Sequence, residues 1–284
     1  MSRIVYVNGD FVAEEDAKIS VFDRGFLMAD GVYEVTSVIG GKLIDFPGHI
    51  ARLRRSLSEL DMPSPATDEE LEGIHKRLVA ENDLDEGGIY LQVTRGAADR
   101  DFAYPADPVP SLVLFTQAKP LVASPAAERG IKVVSIPDQR WARRDIKTVQ
   151  LLAPSMGKMA AKAAGADDAW MVEDGMVTEG TSNNAYIVTK AGTIVTRQLS
   201  NAILHGITRS AVLRFAREAQ MKVEERPFTI AEAQEAAEAF VTSASTFVHP
   251  VVEVDGVSLG DGTPGPVARR LREIYIEESL KSAV

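Results

Sequence analysis

Asp145-Ile146-Lys147-Thr148, then Thr178-Glu179-Gly180-Thr181-Ser182-Asn183-Asn184, then His205-Gly206-Ile207-Thr208-Arg209: the order of these three stretches decides the fold. They supply in turn a lysine amine, a carboxylate at a turn and the opening of a helix. From Ile207 to Ala219 the apolar residues Ile207, Ala211, Val212, Phe215 and Ala219 recur at helical spacing. An anion at that helix start would meet unpaired backbone N–H groups and the positive end of the macrodipole, with the Thr208 hydroxyl as a further donor. Taken alone, Thr208 reads more simply as a helix cap.

Glu179 follows Val177-Thr178 and precedes Gly180, where a strand ends in a turn of small polar residues. Alone it is an ordinary solvated acid, just as Lys147 alone is one of 31 Lys and Arg residues. The segment Trp141-Ala142-Arg143-Arg144-Asp145-Ile146-Lys147 nevertheless suits a surface loop poorly. Trp141 and Ile146 favour burial, and Arg143 and Arg144 crowd each other. Burial and neighbouring cations both favour a neutral amine. Pyridoxal phosphate needs these three parts: an amine that is neutral part of the time to condense with its aldehyde, an acid that keeps its pyridine nitrogen protonated, and a cradle for its phosphate.

With those parts in place, the chain resembles the fold type IV, or class IV, pyridoxal-phosphate-dependent aminotransferases, and within them it is most similar to the D-amino-acid (D-alanine) aminotransferases. The resemblance runs over nearly the whole length. It includes Asp23-Arg24-Gly25-Phe26, Asp30-Gly31-Val32-Tyr33-Glu34, His49-Ile50-Ala51-Arg52-Leu53, Ile89-Tyr90-Leu91-Gln92-Val93-Thr94-Arg95-Gly96 and Phe240-Val241-Thr242-Ser243, besides the three stretches above. Each is weak by itself; their order and spacing are specific.

The resemblance implies that Lys147 is the Schiff-base lysine and moves a proton at the substrate, and that Glu179 contacts the pyridine nitrogen. It assigns the phosphate to Arg52, the Ile207 and Thr208 amides and the backbone around Ser243-Ala244. Leu204 would pack on the ring, and Ser182 and Asn183 would line the site. Tyr33 and Val35 would face the substrate, and Arg100 would reach its carboxylate from a neighbouring subunit. Three positions depart from the pattern. Arg100-Asp101-Phe102 stands where Arg-x-His is usual, and a phenyl ring donates no hydrogen bond. Ser37 replaces a common lysine, and Ala244 a threonine hydroxyl at the phosphate.

Composition fits an ordinary globular enzyme. The 284 residues, 45% hydrophobic and 25% charged, are enough for two domains. A formal charge of −10 disfavours nucleic acid and anionic membrane as partners. With no cysteine there is neither a disulfide nor a thiolate metal site, and His49, His75, His205 and His249 are scattered, so no metal is expected. Packing or supporting roles beside the cofactor segments suit His49 and His205. The N-terminus lacks the apolar core of a signal peptide, and no apolar run reaches bilayer length, so a cytoplasmic location is expected.

Hairpin turns are expected at Asn8-Gly9 and Gly40-Gly41, and strands at Tyr33 to Val38, Ile89 to Thr94 and Leu112 to Thr116. An apolar stripe at Ile50, Leu53, Leu57 and Leu60 marks one helix, and Thr67-Asp68-Glu69-Glu70 is a capping box opening the next. Further strands are expected near Ile131 to Ile136, Ala169 to Val172, Tyr186 to Val188 and Phe240 to Ser243, with helices near Leu151 to Ala164, Ile230 to Ala237 and Val267 to Leu280. The fold expected is mixed α/β in two domains: a smaller N-terminal one over 1–119, a linker at 120–125, and a larger one over 126–284 that carries Lys147, with the site between them. Gly260-Asp261-Gly262-Thr263-Pro264-Gly265 matches a three-glycine dinucleotide pattern but has no βαβ unit after it, and reads as a loop.

The activity expected is transamination between a D-amino acid and a 2-oxo acid, by a homodimer. The alternatives are an (R)-selective amine transaminase, which Val35-Thr36-Ser37-Val38 somewhat resembles, a branched-chain L-amino-acid aminotransferase, and an aminodeoxychorismate lyase. A non-catalytic chain that keeps the fold would be favoured only had Lys147 or Glu179 been lost.

Overall fold

A computed structural model describes residues 2–284. It divides them into two compact units: the chain up to Leu121 with Ile146–Gln150 and Leu280–Val284, and Val122–Asp145 with Leu151–Ser279.

The first unit is built on an antiparallel sheet of β1 (Ile4–Val7), β2 (Asp10–Ala13), β3 (Gly31–Ile39), β4 (Lys42–Leu43), β5 (Glu86–Thr94) and β6 (Ser111–Ala118), in the order β2-β1-β6-β5-β3-β4. Asn8 and Gly9, and Gly40 and Gly41, all have positive φ, as tight two-residue hairpins require. Helix α1 (Arg24–Met28) is a single turn, whereas α2 (Phe46–Glu59) and α3 (Asp68–Glu81) are long and amphipathic. The expected capping box opens α3: the Glu70 N–H donates to Thr67 Oγ1, and the Thr67 N–H to Glu70 Oε2 at 2.7 Å.

Alternation decides what each face of this sheet meets. Val32 and Val38 of β3 and Ile89, Leu91 and Val93 of β5 pack with Ile50, Leu53 and Leu57 of α2 and with Leu71 and Leu78 of α3. The opposite face carries Tyr33, Val35, Tyr90 and Phe115, all half-buried, with Tyr33 stacked on Tyr90 and Tyr90 on Phe115. Glu34 breaks the alternation by placing a carboxylate among the core residues.

The second unit holds a nine-stranded mixed sheet. Its strands are β7 (Ile131–Pro137), β8 (Asp168–Glu173), β9 (Met176–Gly180), β10 (Asn184–Val188), β11 (Ile194–Thr196), β12 (Val223–Glu225), β13 (Glu238–Ser243) and β14 (Phe247–Val254), ordered β12-β11-β10-β13-β14-β7-β8-β9, with β15 (Val257–Ser258) paired to β14. Trp170, Val177, Ile187, Phe228 and Val241 are among its buried core. The helices are α4 (Pro125–Arg129), α5 (Leu152–Ala163), α6 (Ile207–Glu218), α7 (Ile230–Glu235) and α8 (Pro266–Lys281). Residues 260–265 form the loop before α8.

Two points differ from the sequence reading, and one central strand has no counterpart in it. Lys147, expected in the C-terminal domain, belongs to the first unit, because Ile146 is buried in that core, Thr148 bridges Val32 and the Tyr33 N–H donates to the Lys147 carbonyl. Trp141 is exposed, and the cations beside it are neutralised: Arg143 pairs with Asp145 and Arg144 with Glu173. Finally, β14 runs between β13 and β7 although Pro250 lies within it; proline lacks a ladder donor and argues against a central strand. Pro250 faces Phe240 of β13, and the parallel ladder to β7 starts only at Val251, so no β7 bond depends on the missing N–H.

Candidate active site

In the first unit, Lys147 is half-buried, its backbone pinned to β3, and its Nζ lies 4.0 Å from the centroid of the Tyr33 ring. A loop lysine would be free to wander; here the strand and the aromatic face hold it. On the core side of β3, Glu34 receives a two-pronged contact from Arg52 of α2, Nε to Oε1 at 2.8 Å and Nη2 to Oε2 at 2.7 Å. His49, one helical turn before Arg52, places Nδ1 2.8 Å from Glu34 Oε2. Burial by itself would raise the Glu34 carboxyl, but the charge and fork of Arg52, aided by His49, hold it at about 2. Arg52 is thus a fixed, buried cation, not a mobile one.

In the second unit, Glu179 is the penultimate residue of β9 and is buried. It accepts from Arg140 Nη1 at 2.5 Å, Asn184 Nδ2 at 2.9 Å and the Leu204 N–H at 3.1 Å. Arg140 also grips Asp138, whose carboxylate accepts from the Thr178 hydroxyl. Burial pushes the Glu179 carboxyl above its ordinary range, and Arg140 and the Leu204 N–H pull it back.

The start of α6 suits an anion. Its N-cap is Gly206, so Thr208 is not the cap, and the Thr208 hydroxyl is buried with no hydrogen-bond partner among the described residues. A Cβ on Gly206 would collide with the Asn184 side chain, which ties this turn to the residue holding Glu179. Ser243, the last residue of β13, and Ala244 are half-buried, and Ser243 Oγ meets Thr246 Oγ1 at 2.7 Å. Ile207 and Leu204 are half-buried at the same helix start.

The remaining expected site residues fall outside these two clusters. Ser182 is exposed, and Asn183 donates to Asp168 at 2.7 Å, so the side chain that reaches Glu179 from this turn is that of Asn184. Arg100 and Phe102 are exposed on one loop of the first unit, the guanidinium carbon 5.6 Å from the Phe102 ring. Sequence reading missed Arg140, Asn184, Glu34 and Tyr90. Only Glu34 carried a signal: a carboxylate on the apolar face of β3 calls for a buried cation. Among the described residues, no His, Asp or Glu group is arranged to hold a metal ion.

The first unit thus offers a lysine held beside an aromatic face and a buried arginine–carboxylate pair, and the second a buried carboxyl and a helix start with an unanswered hydroxyl. The Amino-transferase class IV family model matches residues 31–254, and the chain belongs to that family. It is 38% identical to a D-alanine aminotransferase of Staphylococcus epidermidis over 272 residues, 95% of each chain, and 38% identical to one of Bacillus licheniformis over 94% of each. Among solved structures, a T.th. branched-chain amino acid aminotransferase with pyridoxamine 5'-phosphate superposes with a TM-score of 0.90 at 28% identity, covering 98% of this chain and 94% of that one.

Proposed function

We propose that this chain transfers an amino group between a D-amino acid and a 2-oxo acid, with pyridoxal 5'-phosphate as cofactor. The observation that carries the D-amino-acid reading is the 38% identity, nearly end to end, to D-alanine aminotransferases, against 28% to the branched-chain enzyme.

The residues fit the cofactor, the buried, unanswered Thr208 hydroxyl at the twelve-residue α6 above all. Its phosphate would be held by the Ile207 and Thr208 amides, the Thr208 hydroxyl, the backbone at Ser243-Ala244 and the fixed charge of Arg52. When bound, the cofactor supplies an electron sink for negative charge at the substrate Cα. Glu179 holds the proton at the pyridine nitrogen, its charge tuned by Arg140. Lys147 takes and returns the Cα proton, a role that requires its amine to be neutral in part. Leu204 packs on the ring, Tyr33 and Val35 face the substrate, and Ser182 and Asn183 shape the turn beside it.

Arg100 grips the substrate carboxylate from a neighbouring copy, so the reading includes a homodimer, located in the cytoplasm. The apolar stripe of Leu152, Met156 and Met159 exposed on α5 supports such pairing. No helix of the described residues is long and apolar enough to cross a membrane.

The test is a panel of D- and L-amino acids and (R)-amines offered singly to the holoenzyme, with the absorption change of the cofactor followed in each half-reaction. D-alanine and other D-amino acids should react fastest. Faster reaction with branched-chain L-amino acids would replace this reading with that of the branched-chain relative.

A further inference from the structure

Two arginines of the first unit, Arg24 and Arg95, are almost completely buried and share a single carboxylate. Arg24 Nε lies 2.7 Å and Arg95 Nε 2.8 Å from the same oxygen of Asp30. One anion for two buried cations leaves a positive excess, which is costly unless other acceptors answer it. Backbone carbonyls do so. Arg95 donates to the Leu60 and Asp61 carbonyls at the end of α2, where a cation also suits the helix dipole. Arg24 Nη1 donates to the Asp101 carbonyl at 2.6 Å and the Ala103 carbonyl at 3.3 Å. The Tyr104 ring then covers the Arg95 guanidinium at 3.5 Å. The loop is therefore tied at residues 101, 103 and 104. Arg100 and Phe102 flank the first of these ties with their side chains exposed.

We infer that Arg24 and Arg95, bridged by Asp30 and covered by Tyr104, are positioning residues that set Arg100 for the substrate carboxylate and so determine preference for carboxylate-bearing amines. The inference rests on the reading of Arg100 given above. An untethered loop would have to order Arg100 each time a substrate bound, and that ordering would weaken binding.

Two holoenzyme variants test it: Arg24→Lys, which keeps the charge on Asp30 but loses the fork, and Tyr104→Leu, which removes the half-exposed cover at little risk to folding. The first readout is trypsin cleavage after Arg100, mapped by mass. The second is the D-alanine KM and kcat. The third is the rate at which aminooxyacetate and O-methylhydroxylamine capture the cofactor, since only the former carries a carboxylate. Both variants should raise the cleavage rate and the D-alanine KM about tenfold, the worth of one charge-assisted hydrogen bond in Arg24→Lys and of one desolvated cation–π contact in Tyr104→Leu. Capture by aminooxyacetate should slow with them, while kcat and capture by O-methylhydroxylamine stay at wild-type values. Unchanged cleavage, or equal slowing of the two capture reactions, overturns the inference. An Arg100→Ala control separates the two claims. If Arg100→Ala raises the D-alanine KM and Arg24→Lys does not, the tether alone is wrong; if Arg100→Ala leaves it unchanged, the role of Arg100 falls and the specificity claim with it.

Discussion

Arg140 places Nη1 2.5 Å from Oε1 of Glu179, across 39 residues of sequence. Its other nitrogens hold Asp138, so the guanidinium is anchored on one carboxylate while it touches the other. Burial raises the Glu179 carboxyl and Arg140 restrains the rise.

Glu179→Gln should test that balance. The amide keeps the shape and still hydrogen-bonds, but it no longer compensates a protonated pyridine nitrogen. Half-reaction rates should fall by at least about a hundredfold, the scale of one positioned acid or base, while cofactor occupancy holds. Unchanged half-reaction rates in stopped-flow absorption would remove Glu179 from the chemistry.

Among the described residues Lys147 is the lysine set on the Tyr33 ring, whereas Lys158 is paired with Asp168 at 2.9 Å. Borohydride should fix the cofactor to Lys147 alone. Peptide mapping that finds the adduct on Lys158 or Lys162 would overturn the assignment. Lys147→Ala should retain the cofactor through Arg52 and the start of α6 and lose the catalysed proton shift.

Glu34 supplies a pH prediction. Its carboxyl is held at about 2 in the folded chain, below the ordinary 4.5. A depressed carboxyl contributes stability that is complete above the ordinary value and lost as pH falls toward the folded one. Roughly 3 kcal/mol should therefore disappear between about pH 4.5 and 2, read from urea midpoints along a pH series. Glu34→Gln, which strips Arg52 of this counter-charge, should cost on the order of 3–5 kcal/mol at pH 7 and flatten that acid slope. A variant with the wild-type slope would show that the pair does not carry the acid sensitivity.

Arg100→Ala should lower kcat/KM for D-alanine by on the order of 1.5–3 kcal/mol per hydrogen bond lost to the carboxylate. An amine without a carboxylate should be almost indifferent. Phe102, apolar and 80% exposed beside it, predicts slow turnover of (R)-1-phenylethylamine in the wild type. The ratio of D-alanine to amine rates, compared between wild type and variant, decides the point, and a constant ratio makes Arg100 an ordinary surface charge.

What the chain determined by itself was local. Asn8-Gly9 and Gly40-Gly41 had to turn with positive φ, Thr67 and Glu70 had to cap α3, and the spacing from Ile207 to Ala219 had to make a helix whose start attracts an anion. These follow from backbone geometry and periodicity within a few residues, and the resemblance supplied Lys147, Glu179 and Arg52 from motif order. Tertiary structure alone decided which charges answer each other. Arg140 meets Glu179, Arg52 and His49 meet Glu34, and Asn184 rather than Asn183 turns toward Glu179, because strand register and helix packing set those distances. It also placed Lys147 with the N-terminal sheet and threaded β14, with Pro250, through the centre of the second sheet. A buried charge costs too much to stand alone, so it takes the partner that folding brings within reach, and chain distance says little about which one that is.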